Sequence, residues 1–319
     1  MSAQHHYVSK FHLRRFLDID SLRSKDPWLW QGWVSDGSVR RRAPKNVGTE
    51  RLLFDGPGGL ADGEADLEAF LSREVEGPAA VAMKEFCARH PSHAAALGIP
   101  PALMRYLAWA AARSLPMMRL FSDWARTDGQ FQGQQLVEPP PEGLLAASAL
   151  KRPVAMTHPV FGEREWPPES DFDRLADEGW VPDYRDPANF LESVHIQAYY
   201  FQVRFFPRFR WFTLRPPQNE FFVIADRAVG WAADGFVDAP PSCLRDPSAY
   251  VLAPLSRDLL LVGCHTGEPW EVTPARINGV IACWAHEWIA GPTRCVVEDA
   301  LSLRRLGLAS RKRRPWENH

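Results

Sequence analysis

The segment Gln4-His5-His6-Tyr7-Val8-Ser9-Lys10-Phe11-His12-Leu13-Arg14-Arg15-Phe16 limits this chain more than any other. Chain ends normally fray and tolerate small polar residues. Here Tyr7, Val8, Phe11, Leu13 and Phe16 alternate with three histidines and two arginines. The apolar members call for burial, and burial carries imidazole and guanidinium groups inward with them. A buried polar group must find a partner, so the segment predicts contacts to groups supplied from far along the chain. In a regular strand His6 and His12 share a face, and His5 points the opposite way.

A chain of 319 residues can bury a substantial core as one large domain or two intimate ones. With 37 basic and 39 acidic residues its net charge is -2, which gives no global pull toward nucleic acid or anionic lipid. Lysine occurs only at Lys10, Lys25, Lys45, Lys84, Lys151 and Lys312, so arginine supplies 31 of the 37 cations. That bias reflects either a GC-rich genome or a use for planar forks that grip phosphate and carboxylate. Cys87, Cys243, Cys264, Cys283 and Cys295 are scattered, odd in number and never spaced C-x-x-C. They read as reduced thiols in a cytoplasmic protein, without a structural zinc. No signal peptide is expected, because Lys10, Arg14 and Arg15 break up any apolar run. No window reaches the roughly 20 apolar residues of a membrane span.

Trp28 to Val34 reads as a strand, and Asp36-Gly37 as the turn of a hairpin whose returning limb carries Arg40, Arg41 and Arg42. The plainer account of that charge run is a solvated edge strand or loop. From Gly63 the apolar residues Leu67, Phe70, Leu71, Val75, Val81, Met83 and Phe86 recur at helical spacing, with an interruption at Gly77-Pro78. Glu68 and Glu76 can border one broad face of this helix. A second helix is expected from about 101 to 126, with Met104, Leu107, Ala108, Ala111, Leu115 and Met118 as its buried stripe. Arg113 falls close to that stripe and needs a partner, for which Glu68 or Glu76 is the candidate.

Residues 128–185 are rich in Pro, Gly and charge, broken at Pro139-Pro140-Pro141. They suggest a long excursion with short helices near 142–149 and 170–178, either a substrate-contacting lid or variable surface. A helix returns over 187–206. The runs 210–214, 220–225, 250–252 and 259–262 suit strands of a small antiparallel sheet. A long helix is expected over 274–290, a short strand over 294–297 and a terminal helix over 299–307, ahead of a basic tail at Arg311–Arg314. The expected fold is α+β: a predominantly helical single domain over 1–297 with a small antiparallel sheet and an insertion at about 128–185. Residues 298–319 then form a terminal helix and tail.

Several of these segments line up with one known pattern. The opening resembles the His-Tyr-Val-Pro-x-Phe-x-Leu-x-x-Phe signature of the bacterial family called domain of unknown function 4238. His6, Tyr7, Val8, Phe11, Leu13 and Phe16 match it, with Ser9 in place of the proline. Glu68 and Glu76 sit like the paired glutamates of its first long helix, and Arg113 with Pro116 resembles its Arg-x-x-Pro segment. Phe221 to Asp226 is similar to the strand ending in Ser-Asp-x-Pro, although Ala225 and Ala228 replace the serine and the proline. Pro254-Leu255-Ser256 matches a Pro-Leu-Ser turn, and Asn278 occupies the asparagine of the last helix. The resemblance implies an architecture and a set of polar positions, without an activity.

The chemistry is weighed residue by residue. His6 is either a structural or solvent-facing histidine, or a general base or metal ligand completed by carboxylates from elsewhere. The candidate set for a metal is His6, Glu68, Glu76 and Asp226, with no H-E-x-x-H motif to support it. Asp226 ends an apolar strand, as a catalytic carboxylate or as a turn-former. Asn278 lies in the apolar face of the last long helix, where its amide either pins the Pro254–Leu255 turn or contacts substrate. Arg14, Arg15 and Arg113 are candidate anion grips, Arg113 competing with a structural ion pair. Cys264 beside His265 is adjacency alone, and no phosphate-binding glycine loop is present. The leading expectation is a hydrolase acting on a phosphodiester or nucleotide-type substrate. His6, Arg113 and Asp226 would be its catalytic groups, Arg14, Arg15 and Asn278 its substrate contacts, and a divalent metal ion its candidate cofactor. The alternatives are a non-catalytic nucleic-acid-binding protein, using Arg40–Arg42 and the tail with Trp28, Trp30, Trp33 and Trp316, or a small-molecule enzyme of specialised metabolism. Oligomeric state is left open.

Overall fold

The structure, a computed structural model, describes residues 4–51, 71–89, 94–95, 98–114, 154–158, 162–166, 181–182, 198, 201–233, 236–237, 247–265 and 273–310. Its helices are α1 (Lys10–Leu13), α2 (Gly77–Arg89), α3 (Pro101–Ala112), α4 (Pro274–Trp284) and α5 (Arg294–Ser310). The strands begin with β1 (Gln4–His6), β2 (Leu29–Trp33), β3 (Val39–Arg42), β4 (Thr49–Arg51), β5 (Ala94–Ala95), β6 (Val154–His158), β7 (Gly162–Trp166) and β8 (Val181–Pro182). They continue with β9 (Arg210–Leu214), β10 (Ile224–Ala225), β11 (Gly230–Ala233), β12 (Phe236–Val237), β13 (Tyr250–Ser256), β14 (Leu259–Cys264) and β15 (Trp288–Gly291). The class is α+β. The chain forms two compact units, one from Met1–Tyr7, Glu50–Ala82 and Pro100–Pro207, the other from Val8–Thr49, Met83–Ile99 and Arg208–His319.

In the first unit, Leu71–Glu76 is wound as a π-helical turn that tightens into α2 at Gly77. Pro78 lacks the amide that a continuous α-helical ladder needs, so the pitch changes where the sequence predicts an interruption. Helix α3 starts with Pro101, whose missing N–H is one of the unpaired ones at a helix start. Its residues Leu103, Tyr106, Leu107, Ala110 and Ala111 are buried. Strands β6, β7 and β8 form a three-stranded antiparallel sheet within the segment read as an excursion. The helices expected near 142–149 and 170–178, and most of that expected over 187–206, lie outside the described residues.

The second unit holds a six-stranded antiparallel sheet, β12-β11-β13-β14-β9-β5, and a four-stranded one, β10-β15-β2-β3. The runs 210–214, 250–252 and 259–262 are strands, the latter two longer than their β-branched cores suggest. In the β2–β3 hairpin Gly37 adopts φ +71°, which only glycine takes cheaply. Asp36 Oδ1 accepts the Ser38 amide at 2.8 Å, and this bond, helped by Arg40, holds the Asp36 carboxyl below its ordinary range. A buried core joins both sheets to α4 and α5 through Leu214, Phe222, Leu252, Leu260, Ile277, Ile281, Ile289 and Leu301. Gly32 is required on β2, because a Cβ there would stand 2.6 Å from a Val297 methyl on α5. No described helix is long and apolar enough to cross a membrane.

Several element boundaries differ from the sequence expectation: helix α3 ends at Ala112 instead of reaching about 126, and the 220–225 run is a strand only at Ile224–Ala225. Helix α4 stops at Trp284, and Trp288–Gly291 is a strand, β15, held between β10 and β2. Residues 294–297 are the first turn of α5, with Thr293 Oγ1 accepting the Val296 amide at 3.4 Å. The β-branched Val296-Val297 pair suggested a strand, and the Thr293 cap outweighs it. His6 and His12 also do not share a strand, because the chain turns into α1 between them.

Candidate functional site

The residues that follow the opening strand fold as α1 and a 3-10 turn, Arg14–Phe16. His12, Leu13 and Phe16 are each fully buried, Arg14 is exposed and Arg15 is half-buried. The imidazole Nε2 of His12 donates to the carbonyl of Pro254 at 2.7 Å. Two further bonds fasten the same segments: the Arg257 amide donates to the Arg15 carbonyl at 3.2 Å, and Arg257 Nη1 donates to the Leu17 carbonyl at 2.9 Å. Ser9, where the signature carries proline, has φ -63°, the angle a proline ring imposes. Its carbonyl accepts the His12 and Leu13 amides and so starts α1 without a side-chain cap.

This docking gathers arginines. Arg215, just after β9, donates Nη2 to the Cys87 carbonyl at 2.5 Å and Nη1 to the Asp258 carbonyl at 3.4 Å. Burial pushes the Cys87 thiol up, while the nearby Arg15 and Arg215 guanidinium groups draw it down. Arg15 and Arg215 thus lie near the Cys87 thiol together with Ser256 and Asp258, and Arg257 adjoins them through its bonds to the Arg15 and Leu17 carbonyls. Asp258, which is exposed, stands 3.4 Å from Arg257 Nε. Guanidinium groups gathered in this way can hold a phosphate or carboxylate anion.

Asp226 is fully buried at the end of β10. Its carboxylate accepts the amides of His286 at 2.9 and 3.0 Å, of Glu287, and of Trp288 at 3.2 Å. Burial raises its pKa, and the three amides oppose that rise. Asn278, on α4 and 3% exposed, accepts the Val223 amide on Oδ1 at 3.0 Å and donates Nδ2 to the Phe221 carbonyl at 2.8 Å. It thus pins the 221–223 backbone rather than the Pro254–Leu255 backbone. It also floors a cavity of about 370 Å³ lined by Glu220, Phe221, Cys295 and Asp299 among others.

The sequence pattern of the family described as "Protein of unknown function (DUF4238)" matches residues 4–276. The chain belongs to this family. Neither a curated protein nor a solved structure matches it.

In this DUF4238 protein the opening motif meets the Pro254-Leu255-Ser256 segment through His12, and that segment is the end of strand β13, paired with β14, where the motif suggested a turn. The strand ending in Asp226 and the asparagine of the last long helix are fastened to backbone, as described above. Arg113 ends α3, 1% exposed, and donates Nη2 to Glu76 Oε1 at 2.6 Å, which makes the ion pair expected from the apolar stripe. His6 ends β1 and is half-buried, with its Nε2 inside. Glu68 and the side chain of His5 lie outside the described residues. Among the described residues no group of three His, Cys, Asp or Glu side chains is placed to hold a metal ion. Cys264 is buried, and the His265 ring stacks on Phe209 with centroids 4.2 Å apart. Sequence reasoning singled out Arg15 but not Cys87, Arg215 or Arg257. Only the arginine beside Pro254-Leu255-Ser256 carried a local signal, its place next to a motif.

Proposed function

We propose that this protein is a hydrolase acting on a phosphodiester or nucleotide-type substrate, whose anionic group is held by Arg15, Arg215 and Arg257. The observation that carries this reading is the gathering of Arg15 and Arg215 near Cys87, with Arg257 adjoining, where the opening motif meets the Pro254-Leu255-Ser256 segment. Arginine delivers planar, two-pronged hydrogen bonds to phosphate, and a partly desolvated setting strengthens them. Arg215 and Arg257 are braced by main-chain carbonyls, which reduces the freedom each loses on binding. Arg14, exposed on the same 3-10 turn, is a further contact for an approaching anion.

His6, Glu68 and Glu76 belong to the other compact unit and are proposed as acid–base and metal-binding groups on their residue types alone. The bonds made by Asp226, Asn278 and Arg113 support positioning duties for those three instead of contact with the reacting atoms. The test is turnover of DNA, RNA, nucleotides and bis(4-nitrophenyl) phosphate by the full chain, with and without magnesium or manganese. Arg15→Gln and Arg257→Gln are expected to raise KM about 10-fold or more each, from the loss of a charge-assisted bond of roughly 1.5–3 kcal/mol. His6→Gln is expected to lower kcat with KM little changed. Absence of turnover on every substrate under every condition would overturn the reading.

A further inference from the structure

The β2–β3 hairpin carries chemistry that the proposed hydrolase does not use. Its register opposes Leu29 to Arg42, Trp30 to Arg41 and Gln31 to Arg40. Alternation along a strand sends Arg40 and Arg42 to one face and Arg41 to the other. Each meets indole rings there. Arg40 and Arg42 lie over Trp33 at 6.0 and 5.3 Å from its centroid, and Arg41 lies over Trp28 and Trp30 at 4.9 and 5.0 Å. Stacking on aromatic rings holds the guanidinium planes in place without consuming their N–H donors. Among the described residues, none of these three guanidinium groups has a hydrogen bond or ion pair. Asp36 acts on Arg40 through space only. At the hairpin tip the exposed Arg305 of α5 lies against Gly37 and adds a fourth cation.

β3 is also the edge of its sheet, so its outer side has no neighbouring strand in that sheet. Charged residues on an edge strand discourage strand pairing, and that would explain arginine or lysine equally well. It does not explain three indoles set beneath three arginines. We infer that the β2–β3 edge is a docking surface for single-stranded nucleic acid. Phosphates of a strand laid along β3 meet Arg40 and Arg42 on one side, about 6.6 Å apart at the rise of a β-strand, and Arg41 on the other. The outer π-face of each guanidinium is a platform for a base, forming an indole–guanidinium–base stack. A run of Asp and Glu matches the charge but brings no planar ring to stack, whereas every nucleotide brings both a phosphate and a ring, so the observations favour nucleic acid.

The inference is independent of the proposed hydrolase, because it is read as binding in EDTA without turnover. The experiment measures fluorescence anisotropy of fluorescein-labelled dT20 with the full chain across a salt series. Log affinity is expected to fall linearly with log salt. In Arg40→Gln/Arg41→Gln/Arg42→Gln the slope is expected to become shallower by about 2, at roughly 0.7 for each lost phosphate contact to a single strand. The single variant Arg40→Gln, at an exposed position, is expected to lose about 0.7 of slope and guards against a triple variant that fails to fold. The triple arginine-to-lysine variant should keep the slope while losing the quenching of tryptophan fluorescence by dT20. Three results would overturn the inference: no binding of dT20 by the parent protein at 50 mM salt, an unchanged slope in the glutamine variants, or equal competition by a 20-residue oligoglutamate.

Discussion

His12 and Pro254 are 242 residues apart in the chain, and the imidazole Nε2 of one stands 2.7 Å from the carbonyl oxygen of the other. The bond is buried, so its loss strands a carbonyl in an apolar setting. His12→Phe keeps an aromatic ring beside Phe11 and Phe16, whose rings flank the imidazole, but offers no donor. Such a substitution is expected to cost about 1–3 kcal/mol of unfolding free energy. Urea denaturation of the variant and its parent measures it. An unchanged midpoint would mean that the opening segment is not fastened through this bond.

Asp226 makes the protein's stability depend on pH in a definite direction. Burial raises its pKa above the ordinary 3.8 in the folded state. The folded protein therefore holds this proton over a range in which the unfolded chain has released it. That contribution is fully present below the unfolded value and is lost as pH rises through the raised folded value. Asp226→Asn, which cannot ionise and sets an NH2 against the amides of 286–288, is expected to be less stable at every pH. Its deficit should be greatest in acid and shrink as pH rises through that window. Thermal midpoints of both proteins across the series measure it, and a deficit that grows with pH would contradict the assignment.

Glu76 and Arg113 are unequal partners, since Arg113 is fully enclosed and Glu76 reaches solvent with 25% of its side chain. Removing the glutamate takes a charge partner from an enclosed cation, so Glu76→Leu is expected to cost up to about 3–5 kcal/mol. Arg113→Met leaves a carboxylate that water can reach, and should cost less. The double variant should recover part of the loss. Strictly additive losses in a double-mutant cycle would show that the pair does not interact.

Asn278 uses both ends of its amide, accepting from Val223 and donating to Phe221. Asn278→Asp preserves the acceptor for the Val223 amide but presents an oxygen to the Phe221 carbonyl. It is therefore expected to be more damaging than Asn278→Ser at neutral pH, by about 1–3 kcal/mol, and the difference should narrow in acid as the carboxyl protonates. Chemical denaturation at two pH values tests this.

Much of the scaffold was legible in local sequence. The Asp36-Gly37 hairpin follows from a turn that glycine permits, and the change of winding at Gly77 follows from a proline in a helical pattern. The Glu76–Arg113 pair follows from a cation on an apolar stripe that had to be answered. Where the reading erred, local preference met a contact it could not see. The apolar run after Trp284 continues the helical pattern, yet the three amides of 286–288 turn to the Asp226 carboxylate, and 288–291 are then taken up between two strands.

The sequence alone determined that the opening motif turns Tyr7, Val8, Leu13 and Phe16 inward and that polar groups go in with them, because exposing those four side chains to water is costly. Tertiary structure alone decided what those groups meet. The partner of His12 is a main-chain carbonyl, a group every residue carries, and no side-chain pattern can announce it. The company of Arg15 is Arg215 and Arg257, which become neighbours only when the strands of the six-stranded sheet are in register and the opening segment has closed over their end.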